Sequence, residues 1–187
     1  MKRIIIFLSV IFSFSLAASA QEVGRFEFEL GYGGAFPIQM ENHPAYNGRH
    51  YFGEVRYNLN SKFDLGLNIS DTRFIQDNVS DKTIHQIHGL QAYLCFDYNW
   101  RRAKEYNIFV GLGAGWTVFQ SNTNYYGLTD GTGSKSIEGS VPCFAPRVGI
   151  ELFDRLRLSY SLIAPYDCYE LIHSTITIGL VFGGKRK

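Results

Sequence analysis

Beyond its first twenty residues the sequence holds no apolar run of about eighteen residues, the length that marks a membrane-spanning helix. The i, i+3, i+4 apolar spacing of an amphipathic helix is also missing there, which argues against any helical architecture. Neither sign of charge is in excess. Leaving out Lys2 and Arg3, 16 basic residues stand against 17 acidic ones, a net charge of −1. That balance gives no sign of a nucleic-acid partner or of a polybasic membrane-surface binder. There is no low-complexity linker, no repeat with a period of about 20 to 50 residues, and no break in composition to mark a second domain. What is abundant is aromatic residues, 16% of the chain, and glycine, 19 residues. Together they describe a β-rich, tightly turned chain.

The opening residues, MKRIIIFLSVIFSFSLAASA, are expected to be a signal peptide over 1–20. Lys2 and Arg3 precede an apolar stretch from Ile4 to Leu16, and small residues at Ala18-Ser19-Ala20 suit cleavage before Gln21. The stretch is too short for a spanning helix, which needs roughly twenty residues. No cysteine follows it closely, which argues against a lipoprotein. A single exported β-barrel domain is expected over 21–187.

Within that domain, apolar and other residues alternate with a period of two in eight runs. Phe26, Phe28, Leu30 and Tyr32 oppose Glu27, Glu29, Gly31 and Gly33. Val55 and Tyr57 oppose Glu54, Arg56 and Asn58. Phe63, Leu65, Leu67 and Ile69 oppose Asp64, Gly66, Asn68 and Ser70. Leu90, Leu94, Phe96 and Tyr98 oppose Gln91, Cys95 and Asp97. The fifth run, NIFVGLGAGWTVF, sets Ile108, Val110, Leu112, Ala114 and Trp116 against Gly111, Gly113 and Gly115. The last three set Val148 and Ile150 against Arg147 and Glu151, Leu156 and Leu158 against Arg157, and Ile176, Ile178 and Leu180 against Thr175, Thr177 and Gly179.

Two observations favour a transmembrane barrel over a soluble sandwich or lipocalin-like barrel, which alternate as well. The connections read as strictly alternating between short and long. The short ones fall at Asn60–Lys62, Asn99–Glu105 and Phe153–Arg155. The long ones fall at Pro37–His50, Asp71–Lys82, Ser121–Ser140 and Pro165–Ile172. The polar face also carries charges of both signs: Glu27, Glu29, Glu54, Asp64, Asp97 and Glu151 with Arg56, Arg147 and Arg157. An eight-stranded barrel has an interior just wide enough for side chains to fill, so these charges are expected to pair in the lumen. The glycines at 111, 113 and 115 are then expected to give volume to long Arg and Glu side chains from neighbouring strands. Aromatic girdles are expected at Phe26, Tyr57, Phe63, Tyr98, Trp100, Tyr106 and Phe182 on one rim, and at Phe36, Tyr51, Phe74, Trp116 and Phe119 on the other.

With this export signal, this loop order and a last strand STITIGLVF ending in an aromatic, the chain resembles the small eight-stranded outer-membrane barrels of Gram-negative bacteria, the OmpA and OmpX type. It departs from them in that GGKRK follows Phe182. The resemblance implies an all-β, eight-stranded antiparallel up-and-down barrel in the outer membrane. It implies partners in outer-membrane lipid and the barrel-assembly machinery, with external loops open to a ligand or protein. The function it suggests is structural or porin-like, with no cofactor. A soluble periplasmic or secreted barrel binding a small apolar ligand is the alternative, and a lipid-modifying outer-membrane enzyme a more distant one. Against the enzyme, neighbouring His173 and Ser174 would point to opposite faces of a strand, and so would His85 and His88 three residues apart, which also argues against metal chelation. Three cysteines leave one over if two pair. The register of the sixth and seventh runs places Cys143 opposite residue 165 or 167, which makes Cys143 and Cys168 the pair to consider for a disulfide and leaves Cys95 free.

Overall fold

The computed structural model describes residues 26–38, 47–60, 62–78, 83–102, 105–125, 134–168 and 171–183. The expected signal peptide lies outside them. Eight strands follow in order: β1 (Phe26–Pro37), β2 (Asn47–Asn58), β3 (Phe63–Asn78), β4 (Thr83–Arg102), β5 (Tyr106–Tyr125), β6 (Ser134–Leu152), β7 (Leu156–Pro165) and β8 (His173–Gly183). Each pairs antiparallel with the next, and β1 pairs with β8, so the sheet closes into a barrel. Closure removes the free edges that an open sheet would present.

The alternation sorts cleanly between two faces. Outward-facing Leu30, Leu67, Leu94, Val110, Leu112, Val148, Ile178 and their neighbours are exposed, while Glu29, Glu54, Asp97, Arg147 and Thr177 are buried. This is the inverse of a soluble barrel. Water would have to hydrate a continuous apolar belt, a far larger patch than soluble monomers tolerate. The polar interior instead satisfies itself.

Strand lengths divide the wall in two. β1, β2, β7 and β8 have 12, 12, 10 and 11 residues, whereas β3 to β6 have 16, 20, 20 and 19. A tilted strand needs about 9–11 residues to cross hydrocarbon. The short wall matches that length, and the tall wall projects beyond it. The tall wall corrects the expected loop pattern. Residues 71–78 are strand rather than connection, as are 121–125 and 134–140, so only 79–82 joins β3 to β4. Strict alternation of short and long connections therefore fails at that point. The reason is physical. At the top of the tall wall consecutive Ser136, Ile137 and Glu138 are all exposed, so nothing there selects for alternation, and lower down the sense inverts, with Phe74 buried and Arg73 exposed.

The short turns are tight. At Phe153-Asp154 both residues take positive φ, 53° and 54°, and Arg155 N–H donates to the Leu152 carbonyl at 3.0 Å. That is the two-residue hairpin turn that matches strand twist, usually built from Asn and Gly. A bulky Phe in the left-handed region costs on the order of 1–2 kcal/mol. At the far end of β4 the register slips between Asn99 and Arg101, a bulge centred on outward Trp100.

Candidate functional site

Every buried Asp, Glu and Arg among the described residues lies on the inward face, and these are Glu27, Glu29, Glu54, Arg56, Asp64, Asp97, Arg147, Glu151 and Arg157. They gather in the half of the lumen nearer the short turns, where register sets Glu27 beside Arg56 and Glu151 beside Arg157. Arg147 on β6 organises the group. Its Nη1 and Nη2 donate to Glu54 at 2.5 and 2.9 Å, and its Nε and Nη2 donate to Asp97 at 2.8 and 2.7 Å. Two forked carboxylate contacts on one guanidinium are the strongest geometry such a pair can take. Arg157 Nη2 donates to the same Asp97 at 2.6 Å, and its guanidinium carbon sits 3.5 Å from the centroid of the Phe109 ring.

Arg56 behaves differently. Its nitrogens lie 3.3 to 3.8 Å from Glu27, Glu29, Glu54 and Glu151 without a directed hydrogen bond to any of them. It acts as a central point charge among carboxylates. Uncharged amides carry part of the load that three arginines leave over. Asn58 donates to Glu27 at 2.9 Å, Asn68 to Glu54 at 2.9 Å, and Asn99 to Asp64 at 2.8 Å. Sequence reasoning named the nine charged groups but not these amides, nor Phe109. Asn58 and Asn68 stood on the polar side of the alternation, and Phe109 shares the parity of the β5 glycines. That parity was the available signal.

The glycine row has a clear role, with different occupants from those expected. An added Cβ at Gly111 would run into the Asp97 carboxylate, and at Gly113 into the Tyr93 ring at 2.6 Å. β5 therefore makes room for an aspartate and a tyrosine from β4, not for Arg or Glu side chains.

The other half of the lumen is neutral. His50 Nδ1 lies 2.8 Å from Thr72 Oγ1, and the Gln91 amide nitrogen reaches Thr72 at 3.3 Å and Ser70 at 3.1 Å. Tyr93, Cys95, Cys143 and Ala145 form one buried apolar cluster. Phe74 and Ala35 form another, with the His173 ring edge-on to Phe74. Phe74 thus faces inward and does not belong to the outer girdle. Between the halves, Glu29, Glu54, Arg147, Arg157, His50 and Thr175 line a polar cavity of about 10 Å³, room for roughly one water molecule.

All three cysteines are free, so the bridge considered between Cys143 and Cys168 is absent. Cys143 pairs directly with Pro165, and its thiol is committed to the interior cluster with Cys95. Cys168 lies beyond the turn at Tyr166-Asp167, where Asp167 takes φ 57°. His173 Nδ1 bonds to the Leu171 carbonyl and Ser174 Oγ donates to the Phe36 carbonyl, so each is engaged with backbone and not with the other. His88 contacts Asp71 on the outer surface, and the side chain of His85 lies outside the described residues. Among the described residues no group of three or more metal-binding side chains occurs.

No family model matches the chain, and comparison with curated proteins gives no match. Solved structures do match. Ail, the attachment invasion locus protein of Yersinia pestis, is 14% identical with a TM-score of 0.57, over 87% of this chain and 98% of that one. The same protein in complex with the heparin analogue sucrose octasulfate gives 14% and 0.54, over 84% and 96%. Neisserial surface protein A gives 11% and 0.52, over 88% and 100%. At these identities the likeness concerns the fold, and the fold of this chain is that of the small eight-stranded outer-membrane β-barrels.

Proposed function

We propose that the chain is an integral outer-membrane barrel of structural type, its lumen closed by its own side chains, exported by a signal peptide and inserted by the barrel-assembly machinery. The observation that carries this is the sidedness of the wall: aliphatic and aromatic side chains outside, nine ionisable groups inside. No soluble role rewards that arrangement, because it exposes the belt to water and buries the charges. The alternative of a soluble barrel binding an apolar ligand needs an apolar interior, and this interior is ionic in one half and closely filled in the other.

The cavity between the two halves, with space for about one water, also speaks for a plug over an open pore. The connections at the end opposite the short turns are the surface available to a ligand or protein. Their sequence carries Glu41, Asp81, Asp130, Asp167 and Glu170 against Lys82. A polyanion such as the one held by Ail would meet like charge there, so a partner at that end is of another chemistry.

Two measurements test the proposal together. Heated and unheated samples of the membrane fraction should migrate differently on gels, as a closed barrel resists detergent. The purified protein in planar bilayers should pass no large, stable single-channel current. Recovery in the soluble fraction would overturn the membrane placement, and a steady open-pore current would overturn the closed lumen.

A further inference from the structure

The near-neutral charge of the whole chain conceals a separation between its two ends. The long connections are net acidic. The end with the three short turns carries, in sequence, Lys62, Arg101, Arg102, Lys104 and Arg155 against Glu105 and Asp154, and the sequence continues past β8 to Lys185-Arg186-Lys187. Among the described residues these turns form one continuous rim. Asn99 N–H donates to the Lys62 carbonyl at 2.7 Å and ties the β2–β3 turn to β4. Phe153 N–H donates to the Glu105 carbonyl at 2.8 Å and ties the next two turns together. Val181 N–H donates to the Arg155 carbonyl at 2.7 Å and carries the rim on to β8.

Along the sequence, the cations of this rim stand next to aromatics. Lys62 precedes Phe63, Trp100 precedes Arg101, and Phe153 stands two residues before Arg155. Trp100 is 77% exposed at its bulge, and Phe153 is 70% exposed at the tip of a turn held in the left-handed region. Rings at the end of an apolar belt settle at the level of lipid headgroups. Cations next to them reach the phosphates while their stems lie along apolar surface. Excess positive charge at that level attracts anionic lipid selectively.

We propose that the short-turn rim is a binding surface for anionic phospholipid headgroups, of the phosphatidylglycerol class, in the leaflet it faces. This rests on the membrane placement proposed above. The aromatics decide for lipid over a soluble or cell-wall partner, because they continue the outward apolar belt without a break. Whole-chain charge could not reveal the surface, since the acidic connections and the lumen carboxylates cancel it.

The two tryptophans allow a direct test, because Trp100 marks this rim and Trp116 lies on the outward face towards the other one. A Trp116→Phe protein is reconstituted in mixed vesicles of phosphatidylcholine and phosphatidylglycerol in which one lipid at a time carries brominated, quenching acyl chains. The expected result is that phosphatidylglycerol associates at Trp100 on the order of fivefold more strongly than phosphatidylcholine, as one to a few interfacial cations imply. The preference should fall in Lys62→Gln and Arg155→Gln, which should keep their heat-modifiable mobility. The Trp100→Phe protein, reporting from Trp116, should show a smaller preference or none. Equal quenching of Trp100 by the two lipids would overturn the proposal and leave the membrane placement intact, and so would a preference unchanged by both substitutions. Failure of either lipid to quench either tryptophan would remove the membrane placement itself.

Discussion

The two halves of the lumen fill the same narrow cross-section with opposite chemistry. Towards the short turns, Glu27, Glu29, Glu54, Asp97 and Glu151 lie at hydrogen-bond or ion-pair distance from three guanidiniums, and Asp64 accepts from the Asn99 amide. Towards the long connections, the filling is His50, Thr72, Gln91, Phe74 and the Tyr93 cluster, joined by neutral hydrogen bonds and apolar contact. Neutral groups can be trimmed one at a time at modest cost. Buried charges cannot, because removing one partner leaves the other ionised with no water to turn to. The ionic half should therefore act as a unit, and the neutral half as a sum of small contributions.

The largest effect expected is at Arg147. Arg147→Ala leaves Glu54 and Asp97 facing each other without their forked donor, and should cost about 3–5 kcal/mol in urea unfolding from vesicles. Adding Glu54→Gln and Asp97→Asn should recover much of that loss, since the uncompensated charge goes with them. A single-variant cost below about 1 kcal/mol, the range of a solvated surface pair, would erase the distinction between the halves.

Next in size is Gly113→Ala at the boundary. The new Cβ meets the Tyr93 ring at 2.6 Å and the Ala145 Cβ at 3.0 Å. Overpacking of this kind costs about 1–3 kcal/mol in the same unfolding assay. Wild-type stability in this variant would mean that Tyr93 moves freely and the neutral half is loosely filled.

Thr72→Val in the neutral half removes the hydroxyl next to His50 and Gln91 while keeping its shape. Its expected cost is about 1 kcal/mol. A cost comparable to Arg147→Ala would show that the neutral half is a coupled network too. The smallest effect expected is that of salt. Raising it should leave unfolding nearly unchanged, because pairs shielded by the wall are screened far less than surface ones. A steep loss of stability with salt would mean that water reaches the ionic half.

Strand identity and facing were decided locally. A period of two with no helical alternative makes strands, and a polar face bearing both signs of charge beside an aromatic-rich apolar one tells inside from outside. All nine charged residues singled out on that face are buried in the lumen, because side-chain facing in a strand depends only on parity. Who pairs with whom was not local. Arg147 meets Glu54, 93 residues away, across the barrel from β6 to β2, and shares Asp97 with Arg157 from β7. Register brings neighbouring strands together, but contacts across the lumen exist only once the sheet has closed. The occupants of the glycine row and the stacking of Arg157 on Phe109 follow from that same closure. The height of the tall wall escaped the sequence for a different reason: at its top Ser136, Ile137 and Glu138 are all exposed and leave no alternation to read, and lower down Phe74 turns inward beside exposed Arg73, against the apolar-out pattern.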